Sequence, residues 1–160
     1  KSGAKVLLHK VNIPEKYGVA KLKKNKIIEI KEKPKKFISD MAITGVYFFD
    51  NKVVNLAKKL KPSKRGELEI TDILNVYKNK NKLKADYIGR GGAWMDTGSI
   101  EDFLKTSNFV SAVENIQGFK IACLEEIALK NKWIKSKEIK KAIKFYGKCE
   151  YSNYLKKLIK

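Results

Sequence analysis

Ala42-Ile43-Thr44-Gly45-Val46-Tyr47-Phe48-Phe49 decides how the rest of the chain reads. Nearly every side chain in it is apolar, aromatic or β-branched, the composition of a strand that lies in a sheet rather than at its wetted margin. Gly45 interrupts the run, and a glycine inside a strand marks a close approach of another backbone or of a ligand. The strand-like segment that contains it runs from Met41 to Phe49, and others lie on either side: Ala4 to Val11, Tyr17 to Leu22, Ile27 to Lys31 and Leu83 to Ile88. Helical patterns alternate with them at Asn51 to Leu60 and Glu69 to Lys78, then take over at Ser99 to Gln117, Glu125 to Lys132, Ser136 to Phe145 and Ser152 to Ile159. The expectation is an α/β sheet whose last third is helical. Asn25 between two strand patterns predicts a hairpin, and Lys61-Pro62-Ser63 ends one helix before the next begins.

At 160 residues and 43 % hydrophobic the chain is long enough for an ordinary buried core. No run reaches the roughly 18 apolar residues of a membrane span, and the first residues show no signal sequence, so the reading is a soluble, cytoplasmic protein without a membrane partner. Cys123 and Cys149 suit two reduced thiols, and His9 alone cannot make a metal cluster. The excess of 36 basic over 17 acidic side chains, net +19, raises nucleic-acid binding. Its lysines are dispersed, however, and no helix-turn-helix, zinc-finger or aromatic RNA-binding signature accompanies them, so solvated lysine explains the charge without a specific nucleic acid. Lys1-Ser2-Gly3 reads as a helix end with its glycine cap, which suggests a chain that begins within a domain.

Three polar constellations could carry chemistry. In Glu32-Lys33-Pro34 the proline is expected to force Lys33 into an extended conformation and end strand pairing. A carboxylate and an ammonium would then stand where a strand opens into a loop, either as solvated surface or as a site for sugar hydroxyls and phosphate. Arg65, in Ser63-Lys64-Arg65-Gly66-Glu67-Leu68-Glu69-Ile70-Thr71-Asp72, is one of only two arginines. It reads either as a planar fork for phosphate or as a structural partner of Glu67 or Glu69. Asp96, in Gly91-Gly92-Ala93-Trp94-Met95-Asp96-Thr97-Gly98-Ser99, approaches a helix capped by Ser99. It either stabilises its own turn or ligates Mg²⁺ together with substrate phosphates.

Taken in order, Tyr17-Gly18-Val19, Glu32-Lys33-Pro34, Ile43-Thr44-Gly45-Val46-Tyr47-Phe48, Arg65 to Asp72 and Trp94-Met95-Asp96-Thr97-Gly98 resemble the sugar nucleotidylyltransferase family over nearly the whole chain. Gln117-Gly118, Glu125-Glu126-Ile127-Ala128 and Tyr154-Leu155 are similar to the helical tail of its thymidylyltransferase branch. The resemblance implies the C-terminal part of a Rossmann-like nucleotide-diphospho-sugar transferase sheet followed by a helical tail, with a sugar-binding part at 1–98 and a helical segment packed on it at 99–160. It implies substrate contacts from Gly18, Glu32, Lys33, Ile43, Tyr47 and Arg65, Ile43 standing where the family usually has Val, and a Mg²⁺ ligand in Asp96. The implied reaction is attack of glucose 1-phosphate on the α-phosphorus of dTTP, giving dTDP-glucose and pyrophosphate.

The family's glycine-rich nucleotide loop, its catalytic Lys and Arg and its first Mg²⁺-binding Asp have no counterparts here. The catalytic set is therefore incomplete, and the isolated chain is expected to be inactive unless a separate N-terminal half supplies the rest. The family also implies a homo-oligomer and a second, regulatory nucleotide site at Glu126, Ile127 and Lys130. Lys130 stands where Arg is frequent and Leu124 where this branch usually has Pro, which argues against feedback control.

Overall fold

The computed structural model describes residues 2–159, so Lys1 of the expected helix end lies outside the described residues. The chain divides into two compact units, Lys1–Trp94 and Met95–Lys160.

The first unit is built on strands β1 (Ala4–Lys10), β2 (Gly18–Lys23), β3 (Lys26–Glu32), β4 (Met41–Phe49) and β5 (Leu83–Tyr87), in the sheet order β3-β2-β4-β1-β5. β1 runs antiparallel to β4 and parallel to β5, giving a mixed sheet. β2 and β3 form the expected hairpin. Lys24 and Asn25 both take positive φ, 47° and 60°, the two left-handed central residues that a tight two-residue turn requires. A short 3₁₀ turn at Pro14–Lys16, unforeseen in the sequence, leads into β2.

Helices α1 (Lys52–Ala57) and α2 (Ile70–Asn79) connect β4 to β5. Leu74 of α2 is fully buried among Val6, Leu8, Ala20, Ile27, Ile30 and Ile43 of the sheet. A second cluster joins Ala4, Ile73 and Tyr77 to Phe49 and to Val53 and Leu56 of α1. The two clusters hold α2 along its length because Thr71, Ile73, Leu74 and Tyr77 share its inner side. α1 ends three residues earlier than the Asn51 to Leu60 pattern predicts. Lys59 and Leu60 tighten into i→i+3 bonds to Leu56 and Ala57, and Pro62 disfavours helix in the residue before it.

Two glycines correct the sequence reading. Gly3 caps no described helix; its φ is +120°, and a Cβ there would stand 2.6 Å from the Lys82 carbonyl oxygen. The position is glycine because β1 starts pressed against the chain entering β5. Gly45, read as a point of close approach, has no neighbouring atom within 4 Å of where a Cβ would be. It is instead the left-handed residue of a bulge, with φ of +76°. Val6 pairs with Tyr47 and Leu8 with Ile43, so Thr44, Gly45 and Val46 together oppose Leu7.

The second unit consists of α3 (Ile100–Gln117), α4 (Leu124–Lys130), α5 (Ser136–Tyr146) and α6 (Glu150–Lys157). α3 is closed at both ends: Ser99 Oγ accepts from the Asp102 N–H at 3.1 Å, and Gly118 takes the left-handed cap at φ 71°. Cys123, Ile139 and Leu155 form a core with Leu129, Ile143 and Leu158 around it. α6 begins two residues before the expected Ser152. Cys149 Sγ accepts from the Ser152 N–H, and Ser152 itself is fully buried.

Candidate functional site

β3 delivers Glu32 at its last residue, and the register of the hairpin sets Gly18 of β2 directly opposite. A Cβ on Gly18 would lie 2.8 Å from Glu32 Oε2 and 3.1 Å from Thr71 Cγ2, so the glycine makes room for the carboxylate. Thr71, in the first turn of α2, stands beside that carboxylate and helps to hold its pKa down against burial. The three residues come from three elements, and α2 holds them together because its inner side is buried against the sheet.

Arg65 reaches the same place from the loop before α2. Its guanidinium bonds Glu67 at 2.8 Å and lies 3.4 Å from Glu69 and 3.9 Å from Glu32. The structural reading of Arg65 thus has its physical counterpart in Glu67 and Glu69, and the guanidinium also faces Glu32. The loop is tied by Ser63, whose hydroxyl donates to Glu69 at 2.9 Å and accepts from the Arg65 N–H at 3.1 Å. Gly66 supplies the turn with a φ of +77°.

Glu32, Ser63, Arg65, Glu69, Thr71 and Asn75 line a pocket of about 350 Å³. Burial raises the Glu32 pKa, and the neighbouring Glu69 raises it further, against the opposing pull of Arg65 and Lys33. The Tyr47 hydroxyl is likewise pushed up, by burial and then by the Glu32 charge, which ties Tyr47 electrostatically to the site. Its ring stacks on Phe49 at 5.9 Å.

Lys33 is exposed, and the expected extended conformation is wrong: its φ is +39°. The Lys33 N–H donates to the Tyr17 carbonyl at 3.0 Å while the next residue, Pro34, is buried. The chain has to turn between those two anchors, and the left-handed conformation accomplishes it against the usual preference before proline. Ile43 sits within the main hydrophobic cluster, 6 % exposed.

Trp94 ends the first unit. Its indole N–H donates to the Thr44 carbonyl at 3.1 Å, and its ring meets Tyr17 edge-on at 5.1 Å and His9 at 5.9 Å. The bulge at Gly45 turns that carbonyl away from the ladder, and the indole satisfies it. In the second unit, Asp96 is exposed and its Oδ1 accepts from the Thr97 N–H at 3.0 Å. Among the described residues no three His, Cys, Asp or Glu side chains form a group that could hold a metal ion. A single exposed carboxylate nevertheless fits Mg²⁺, which commonly takes one or two protein carboxylates and completes its shell with water and phosphate oxygens. On α4, Glu126 pairs with Lys130 at 2.6 Å and accepts from the Tyr154 hydroxyl, while Ile127 is 42 % exposed.

Sequence reasoning singled out Gly18, Glu32 and Arg65, named Glu69 only as a structural partner for Arg65, and gave Ser63 and Thr71 no role. The available signal was Glu69, an acidic residue immediately before an amphipathic helix, which is 8 % exposed in the fold. A carboxylate is rarely that buried unless it is paired.

A mixed sheet carrying a charged pocket at the end of its hairpin, with a helical unit following, defines a class. The nucleotidyl transferase family model matches residues 1–113, and the chain belongs to that family. A glucose-1-phosphate thymidylyltransferase from Neisseria meningitidis is 43 % identical over 159 residues, 99 % of this chain and 55 % of that protein. A Bacillus anthracis protein assigned as a glucose-1-phosphate thymidylyltransferase, solved with sucrose, superposes with a TM-score of 0.61 at 47 % identity, over 68 % of this chain and 44 % of that one. A UDP-glucose pyrophosphorylase bound to UDP-glucose superposes with a TM-score of 0.58 at 27 % identity, over 66 % and 43 % of the two chains. The chain thus spans about half the length of the curated relatives it matches. No described helix is long and apolar enough to cross a membrane.

Proposed function

We propose that this chain is the sugar-phosphate-binding portion of an enzyme that forms dTDP-glucose and pyrophosphate from dTTP and glucose 1-phosphate. The observation that carries the reading is the convergence of Glu32 and Arg65 on one pocket, from a strand and a loop far apart in sequence, with Gly18 opposite Glu32 leaving room for its carboxylate.

In this reading Glu32 accepts hydrogen bonds from sugar hydroxyls, and the bare Gly18 backbone lets the ring approach. Arg65 and Lys33 hold the sugar phosphate, the former by its fork and the latter as a mobile point charge. Their positive charge offsets the repulsion that opposes bringing one phosphate against another, and positioning and charge neutralisation are the main contributions to phosphoryl transfer. Tyr47 and Ile43 form the apolar wall behind the sugar. Asp96 is the residue assigned to Mg²⁺, which when bound would neutralise charge on the phosphate oxygens. The nucleotide-binding elements reside in another polypeptide portion, so the isolated chain binds sugar phosphate without turnover.

A second reading is favoured by one contact. Arg65 already bonds Glu67 at 2.8 Å, and a residue locked in that pair would belong to an inert remnant of the fold. Calorimetric titration of glucose 1-phosphate into the chain separates the two. Saturable binding lost in Arg65→Ala and Glu32→Gln supports the site, and absence of binding supports the remnant. Formation of dTDP-glucose by the isolated chain would refute the division of labour.

A further inference from the structure

Three carboxylates surround the Arg65 guanidinium, and they are not held alike. Nη1 lies 3.4 Å from Glu69 and 3.9 Å from Glu32, whereas Nη2 donates to Glu67 at 2.8 Å. Glu69 is buried and accepts from the Ser63 hydroxyl at 2.9 Å. Glu32, its side chain 22 % exposed, fills the space that Gly18 leaves. The Glu67 side chain is 59 % exposed and meets Arg65 from outside, since Glu32, Glu69 and Arg65 line the pocket and Glu67 does not. The fork is thereby divided: one amino group is oriented by the two pocket carboxylates, and the other is tied to a solvated one.

The loop keeps its shape without the Glu67 carboxylate, because its main chain closes the turn. The Ser63 N–H donates to the Glu67 carbonyl at 2.8 Å, and the Gly66 N–H to the Ser63 carbonyl at 2.9 Å. An exposed ion pair such as Arg65 with Glu67 contributes little, since water solvates both ions and both side chains lose freedom in pairing. A phosphate monoester offers two oxygens to the planar fork and makes stronger, charge-assisted bonds. Repulsion favours the same exchange. Three carboxylates about one guanidinium oppose an entering phosphate, and Glu67 is the one whose departure leaves no buried charge behind.

We propose that Glu67 is a placeholder for the sugar phosphate: its carboxylate occupies Arg65 Nη2 in the free chain and yields it to a phosphate monoester, moving into solvent. The inference deepens the functional reading above and rests on it. Glu67 acts through Arg65 and is a positioning residue. It keeps the guanidinium in the orientation that Glu32 and Glu69 set, so the arginine is ordered before the ligand arrives. The 2.8 Å pair is then the resting state of a working site.

The test titrates glucose 1-phosphate into the full chain and into Glu67→Gln by calorimetry, and follows the side-chain nitrogen NMR resonances of the arginines. The chain has two arginines, so Arg90 serves as the internal reference. Glu67→Gln is expected to bind about twofold to fivefold more tightly, the worth of an exposed ion pair. The Arg65 resonances of the two proteins should differ without ligand and coincide in their glucose 1-phosphate complexes, because Glu67 has by then left the fork. A Glu67 that merely braces the loop gives the opposite sign. Unchanged or weaker binding in Glu67→Gln, or Arg65 resonances that still differ between the two complexes, overturns the placeholder while the functional reading stands. Absence of glucose 1-phosphate binding in both proteins overturns the functional reading, and the placeholder with it.

Discussion

Glu32 Oε2 occupies space that any side chain on Gly18 would claim, 2.8 Å from the Cβ position. The obstruction is the end of a flexible side chain, so Gly18→Ala is expected to leave the fold in place and to push the carboxylate aside. One misplaced hydrogen bond to a charged acceptor costs about 1.5–3 kcal/mol, so affinity for glucose 1-phosphate should fall roughly 10-fold to 100-fold. Calorimetry paired with an unchanged thermal midpoint checks this.

Arg65→Lys retains the charge and loses the planar fork. The single ammonium cannot face Glu32 and Glu69 while gripping a phosphate through two bonds. A roughly 10-fold loss of glucose 1-phosphate affinity is expected, and equal affinity in the two proteins would remove Arg65 from the phosphate site.

Tyr77 and Asp50 lock the start of β1 to α2. The phenol donates to Asp50 Oδ1 at 2.6 Å, and Asp50 Oδ2 accepts from the Gly3 N–H at 2.8 Å. Burial, and then Asp50, push the Tyr77 pKa up to about 12. The folded state favours the neutral phenol, so this contribution is complete below the ordinary tyrosine value near 10 and is lost as pH rises from about 10 to about 12. The Asp50 pKa is lowered, chiefly by the Tyr77 bond, so its contribution is present above the ordinary carboxylate range and lost as pH falls through it. Tyr77→Phe should lower the thermal midpoint at neutral pH by about 2–4 °C. The gap between wild type and variant should close toward pH 12, as a series of melting curves would show.

Leu74→Ala empties the contact between α2 and the sheet. A fully buried leucine lost from a core costs about 2–5 kcal/mol. Because α2 also carries Thr71, sugar-phosphate binding should weaken in parallel with denaturant stability. Gly45→Ala meets open space but a φ of +76°, and should cost roughly 1–2 kcal/mol without touching the pocket.

The strands were legible because each is a short apolar run bounded by turn residues, and β4 coincides with its predicted span of Met41 to Phe49. The hairpin at Asn25 was legible for the same local reason, since a positive φ is tolerated by few residue types. Helix ends were less so: α1 stops early because of Pro62, and α6 starts early because a cysteine sulfur caps it, an uncommon role for that side chain. Lys33 was misread because the local rule for residues before proline yields to a tertiary anchor on each side.

Residue type and order, then, were enough to specify an α/β sheet with a helical tail and to single out Glu32 and Arg65, while Gly18 was picked out only by the family resemblance. That Glu32 answers to Glu69 and Thr71, and that Gly45 makes a bulge, were decided by the fold alone. Periodicity and turn chemistry act between residues a few positions apart, as Arg65 with Glu67 and Glu69 shows, whereas packing in the fold joins groups separated by dozens, and nothing local encodes that Glu32 will face the Arg65 guanidinium.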